Sequence, residues 1–114
     1  MPHLTIQTNT SPSEDTCQAL LFEASKEVSR ELGKKEEFFM GVVQKDQQMI
    51  FGGNDDPIAV FELKALGLPG QKTKDLSRIL CNLAESYLKV SKQRTYVKFH
   101  DVAHGMWGWN GDTL

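Results

Sequence analysis

With 114 residues, 39% of them hydrophobic and 25% charged, the chain is sized for one globular domain, spanning 1–114, with a core of its own. A formal net charge of -2 and a pI near 5.9 exclude the basic footprint of a nucleic-acid binder. No apolar run approaches the ~20 residues that span a bilayer, and the polar opening Gln7 to Ser11 lacks the pattern of a signal peptide, so we expect no membrane association and a cytoplasmic protein.

The chain opens Met1-Pro2, and a small residue after Met1 lets the initiator methionine be removed. Pro2 would then carry a free secondary amine at the N-terminus. An α-amino group titrates near ~8, so this nitrogen could act as a base near neutral pH. Proline also suits a strand start, where its missing N–H costs nothing. The dipeptide alone leaves both readings open.

His3 to Thr8 alternates, with Leu4 and Ile6 on one side, and reads as a strand. After the turn-like Asn9 to Ser13, Ser13 is placed to cap a helix with Glu14 and Asp15 in its first turn. Cys17, Leu20, Leu21, Ala24, Val28 and Leu32 form its apolar stripe, and Gly33 is a natural stop. Phe38 to Val43 reads as the second strand. Gly52 to Pro57 is a strong loop signal. Ile58 to Leu66 alternates again, with Ala59, Phe61 and Leu63 on one face. A second helix is expected over Thr73 to Leu88, striped by Leu76, Ile79, Leu80, Leu83 and Tyr87. A last strand covers Thr95 to Asp101, followed by a tail containing Met106-Trp107-Gly108-Trp109-Asn110-Gly111.

The order is strand, helix, strand, twice over. Two right-handed βαβ units should join edge to edge in one four-stranded mixed sheet with both helices on one face, a two-layer α/β sandwich. Leu4 and Ile6 face one way, and Phe39, Val43, Phe61 and Val97 are not all expected to share that face. The uncovered face should then be apolar and drive association into a closed oligomer. Cys17 and Cys81 fall in helical apolar patterns with no Cys-x-x-Cys pair, and two reduced, buried thiols are expected.

One ordered set of residues carries more. Met1-Pro2, Thr8-Asn9, Gly33-Lys34, Met49-x-Phe51-Gly52-Gly53, Asp56-Pro57-x-Ala59, Leu66-Gly67, Leu80-Cys81, Arg94-x-Tyr96, Asp101 and Trp109-Asn110 recur in sequence. Together they resemble the macrophage migration inhibitory factor family of the tautomerase superfamily, over the whole chain. The resemblance implies a homotrimer whose three sheets wrap into a barrel, with active sites at subunit interfaces. It implies keto–enol tautomerisation of phenylpyruvate-like aromatic α-keto acids, and of dopachrome esters, with no cofactor and no metal. It also implies release by a non-classical secretory route and a protein receptor as a further partner.

As carried over, Pro2 is the catalytic base and Lys34 pairs with the substrate carboxylate. Leu66 offers a backbone N–H. Tyr96 comes from the adjacent subunit as wall and hydroxyl donor. Trp109 and Leu114 shape the aromatic pocket, and Phe38 and Trp107 line its mouth. Tautomerisation needs such a set: a base near the carbon, a donor or cation near the developing enolate, and a pocket for the side group.

Several positions depart from the mammalian pattern. Lys98 stands where asparagine is common and shares a strand face with Tyr96, so it either adds a second cation to the site or points to solvent. Phe38 replaces a tyrosine. Ile58-Ala59-Val60-Phe61 replaces a Cys-x-x-Cys segment, so the thiol chemistry proposed for that motif should be absent. Lys64-Ala65 replaces a His-Ser pair beside the site, a change expected to shift specificity. Two other functions compete: a cytokine-like signalling protein with vestigial catalysis, and a dopachrome decarboxylase, which the Trp109-Asn110 ending fits less well. His100 and His104 are four apart, but the segment reads as strand into loop and no third ligand is evident, so no metal site is expected.

Overall fold

The computed structural model describes residues 1–114. Four strands form one sheet: β1 (Pro2–Thr8), β2 (Met40–Gln44), β3 (Ala59–Leu66) and β4 (Thr95–Val102). Their order is β2-β1-β3-β4. β1 runs parallel to β2, β3 parallel to β4, and the two βαβ halves meet antiparallel at β1 and β3. Helices α1 (Glu14–Leu32) and α2 (Thr73–Leu83) cover one face, and a two-stranded ribbon of β5 (Gly108–Trp109) and β6 (Asp112–Thr113) ends the chain.

Local chemistry sets these boundaries. The Ser13 hydroxyl accepts the Thr16 backbone N–H at 3.1 Å and caps α1, whose first turn carries Glu14 and Asp15. α1 stops where Gly33 takes the left-handed conformation, φ 66, so that Gly33 and Lys34 donate back to Arg30 and Ser29. The second helix departs from expectation. It is α-helical only to Leu83, widens into a π turn over Ala84–Leu88, and ends at Lys89 with φ 58. β2 starts at Met40 rather than Phe38, because Glu36–Phe38 winds into a 3₁₀ turn.

The core lies between sheet and helices. Leu4, Ile6, Phe61, Leu63 and Ala65 from the strands meet Leu20, Ala24 and Val28 of α1 and Leu76, Leu80 and Leu83 of α2. Gly41, opposite Leu4, lets the layers close: a Cβ there would stand 2.9 Å from the Phe39 ring and 3.1 Å from Leu21. Phe61 is fully buried at the centre. Phe61→Ala is expected to cost about 3–5 kcal/mol, read as a lower urea midpoint at fixed protein concentration. A loss below about 1 kcal/mol would mean that the void closes and that Phe61 is not the keystone of this layer.

The two sheet faces correct the sequence reading. Ile6 pairs with both Val43 and Phe61, and Phe61 pairs with Val97. Residues directly opposite one another point to the same side, so these four form one row on the helix-covered face, and Phe39 packs against the same core. The open face instead carries His3, Thr5, Gln7, Gln44, Glu62, Lys64, Lys98 and His100, with Met40, Val42, Val60, Leu66, Tyr96 and Val102 among them. It is therefore a mixed face, polar and charged along its middle, rather than the continuous apolar face expected.

The thiols also differ from expectation. Cys17 and Cys81 are free but only half-buried, and partial burial pushes the Cys81 thiol above its usual value. No helix is long and apolar enough to cross a membrane.

Candidate functional site at the chain start

β1 begins at Pro2, which needs no ladder N–H there, and its ring is fully buried. Over it opens a cleft of about 410 Å³ lined by Met1, Pro2, His3, Glu37, Phe38, Phe39, Met40, Trp107, Gly108 and Trp109. Three separate pieces of chain build it. Phe38 comes from the 3₁₀ turn before β2. The two tryptophans come from the end of the chain, where Asn110 (φ 53) and Gly111 (φ 78) form the tight turn between β5 and β6. Asn-Gly is the residue pair such a two-residue hairpin turn requires. The Phe38 and Trp109 rings meet edge to face at 5.5 Å and 88°. The result is an aromatic slot that is open to solvent on the Trp109 side, since Trp109 is 51% exposed.

Lys34 supplies the charge. The left-handed turn at Gly33 sends it away from α1 towards the end of β3, where its ammonium donates to the Leu66 carbonyl at 3.0 Å. The amino group at Met1 is held below its ordinary value of 8.0, first by partial burial and second by the Lys34 charge. Leu66 therefore meets Lys34 through its carbonyl. Its backbone N–H, the group expected to face substrate, is not what links it to Lys34.

Other expected residues lie elsewhere in the single chain. Tyr96 pairs with Val60, five positions along β3 from Ala65, the partner of Pro2. That is about 17 Å along the strand and on the opposite face of the sheet. Lys98 shares the open face with Tyr96, as expected, and neither of the two alternatives for it describes its contacts fully. It reaches Glu62 at 3.5 Å while its side chain stays 58% exposed. Glu62 also meets Lys64 at 3.7 Å and His100 at 3.2 Å. Partial burial pushes the Glu62 carboxyl up, but the Lys64 and Lys98 charges and the His100 contact outweigh it and leave it below its usual value. Leu114 does not line the cleft. Its N–H donates to the Trp107 carbonyl at 2.9 Å and its own carbonyl accepts from Gly105, so it pins the tryptophan loop from behind.

The sequence reading thus brought four site residues to one place, Pro2, Phe38, Trp107 and Trp109, with Lys34 and Leu66 contacting each other beside them. It missed His3, Glu37 and Met40. The alternation of β1 and its pairing of His3 with Met40 bring two of these to the cleft, but that register was not readable from one strand alone. His100 is occupied by Glu62, and no group of three His, Cys, Asp or Glu side chains converges to hold a metal ion.

The sequence and fold recur in known proteins. The macrophage migration inhibitory factor (MIF) family profile matches residues 1–114. The chain is 38% identical over 115 residues to a macrophage migration inhibitory factor homolog of Brugia malayi, covering 100% of this chain and 99% of that one. It is 31% identical to the mouse macrophage migration inhibitory factor, with the same coverage. A crystal structure of the homologue from Prochlorococcus marinus superposes with a TM-score of 0.92 at 35% identity, over 97% of each chain. With the whole length matched in sequence and in fold, and with Pro2 beneath an aromatic slot, the chain belongs to the macrophage migration inhibitory factor family.

Proposed function

We propose that the protein is a keto–enol tautomerase for aromatic α-keto acids of the phenylpyruvate type, with Pro2 as general base once Met1 has been removed. The observation that carries this reading is the buried Pro2 ring at the floor of the Phe38–Trp107–Trp109 slot, beside a lysine that lowers the basicity of the adjoining amine. Met1 occupies the same cleft, so its removal both exposes the ring nitrogen and vacates space for the substrate.

The chemistry follows from these groups. The substrate carboxylate takes the Lys34 ammonium from the Leu66 carbonyl, a gain because a charged acceptor replaces a neutral one. The aromatic side group lies against the slot. The neutral Pro2 nitrogen removes a proton from the carbon next to the carbonyl, leaving the electron pair to form the enol double bond. The carbonyl oxygen takes up a proton and protonated Pro2 gives its own up, directly or through water, so that one C–H is exchanged for one O–H and the amine is neutral again. A hydroxyl donor at that oxygen lowers the barrier, and Tyr96 has the right chemistry. Because within one chain it lies two strands away from Pro2, about 17 Å further along the strand direction and on the opposite face, only Tyr96 of another copy could serve. A cyclic homotrimer, as the family resemblance implies, closes that arrangement. Cytoplasmic residence, non-classical release and a protein receptor are part of the same family-based proposal. A Cys-x-x-Cys redox role is not: Ala59 and Phe61 of the replacing segment are core residues.

The test compares phenylpyruvate tautomerisation by the processed protein, its lost Met1 verified by intact mass, with a version carrying an uncleaved N-terminal extension. Activity is expected only in the first. Equal rates in both would overturn the assignment of the base.

A further inference from the structure

We propose that Arg94 and Phe51 are positioning residues that fix the orientation of Tyr96, an inference that rests on the tautomerase reading for what Tyr96 does. Tyr96 lies on β4, an edge strand, and is 61% exposed. An exposed tyrosine on an edge is free to sample several staggered rotamers unless something limits it. Here the limit is the Phe51 ring, which meets the Tyr96 ring at 5.0 Å and 69°.

Phe51 is itself on a loop, and the loop is held. Phe51 and Asn54 exchange backbone hydrogen bonds of 3.0 and 3.3 Å around Gly52 (φ 61) and Gly53 (φ 82), a tight turn whose two left-handed positions favour glycine. Arg94 then fastens this turn to the start of β4. Its Nε donates to the Pro57 carbonyl at 3.0 Å, and an Nη donates to the carbonyls of Asp56 at 3.0 Å and Asn54 at 3.4 Å. The same guanidinium lies over the Phe51 ring at 5.1 Å. A rigid planar fork can bridge carbonyls and stack on a ring at once; the point charge of a lysine cannot. Arg94, Phe51 and Tyr96 therefore form a stack anchored to backbone at one end and carrying a free phenol at the other. None of the three touches the Pro2 cleft of its own chain.

If the stack exists to aim that phenol at a neighbour's substrate, loosening it should slow the proton-transfer step without changing substrate capture by Lys34. Phe51→Leu is expected to lower kcat about threefold to tenfold, the size of one aromatic pair, with KM little changed. Arg94→Lys should act in the same direction. The decisive comparison is a double-mutant cycle: Phe51→Leu should add nothing to Tyr96→Phe. A full additional loss in the double variant would overturn the proposal, because Phe51 would then act by another route. A second readout does not depend on activity. With Tyr87 and Tyr96 replaced by fluorotyrosine, the Tyr96 ¹⁹F resonance should shift or broaden in Phe51→Leu while that of Tyr87 stays put. An unmoved Tyr96 resonance would also overturn it. If Tyr96→Phe left kcat intact while the resonance moved, the positioning would stand and the catalytic role of Tyr96 would fall. Circular dichroism and oligomer size measured on each variant separate these outcomes from misfolding.

Discussion

Pro2→Gly is expected to reduce phenylpyruvate tautomerisation by about 10²-fold or more, the usual contribution of a positioned general base. Glycine after Met1 still permits processing, so the variant keeps an N-terminal amine. What it loses is the ring. That ring is fully buried and holds the nitrogen at one point on the floor of the slot, whereas a glycine amine would swing. Proximity effects of this kind fall steeply with small displacements. The loss should appear in kcat, because Lys34 and the aromatic walls that bind substrate are untouched. Intact mass must accompany the rates, since a variant that kept Met1 would be inactive for a different reason. Wild-type turnover in a correctly processed Pro2→Gly protein would remove Pro2 from the mechanism.

Much of this arrangement can be read from the sequence, but not all of it by the same route. Ser13 and Gly33 mark the ends of α1 because capping is local chemistry. Alternation finds β1, β3 and β4 for the same reason. Register is not local: nothing within His3–Thr8 says that Ile6 will lie between Val43 and Phe61. The face assignments therefore went wrong, and with them the argument for an apolar association surface. The tail was legible and was passed over. Asn110-Gly111 between Trp109 and Asp112 is a hairpin signal, and that hairpin is what lays Trp109 against Phe38. The site residues came from the ordered resemblance rather than from periodicity. Even so, a single chain brings together only the Pro2 side of the site. Tyr96 sits at the far end of the sheet, as expected if the site is finished by a second copy.

Lys34→Ala separates two roles that one ammonium is proposed to play. As the partner of the substrate carboxylate, its loss should lower kcat/KM by about tenfold to a hundredfold, the range for a hydrogen bond to a charged group. At the Met1 amine the Lys34 charge is the second cause, after burial, of a pKa below the ordinary value; the Pro2 amine that processing exposes lies in the same place, so removing Lys34 should let it hold its proton to higher pH. Catalysis needs the neutral amine, which is present above the pKa. The rising limb of the pH–rate profile should thus shift upwards in Lys34→Ala, and the defect should be larger at pH 6 than at pH 8. Burial is the larger cause at the Met1 amine and is untouched by this substitution, so the limb should still lie below that of a solvent-exposed N-terminal proline. Lys34→Arg keeps the charge and should restore the limb more fully than it restores KM, because a larger planar fork cannot place its donors where the compact ammonium meets the substrate carboxylate. An unmoved limb in Lys34→Ala, with KM raised, would leave Lys34 as a substrate anchor alone and make burial the sole source of a neutral base.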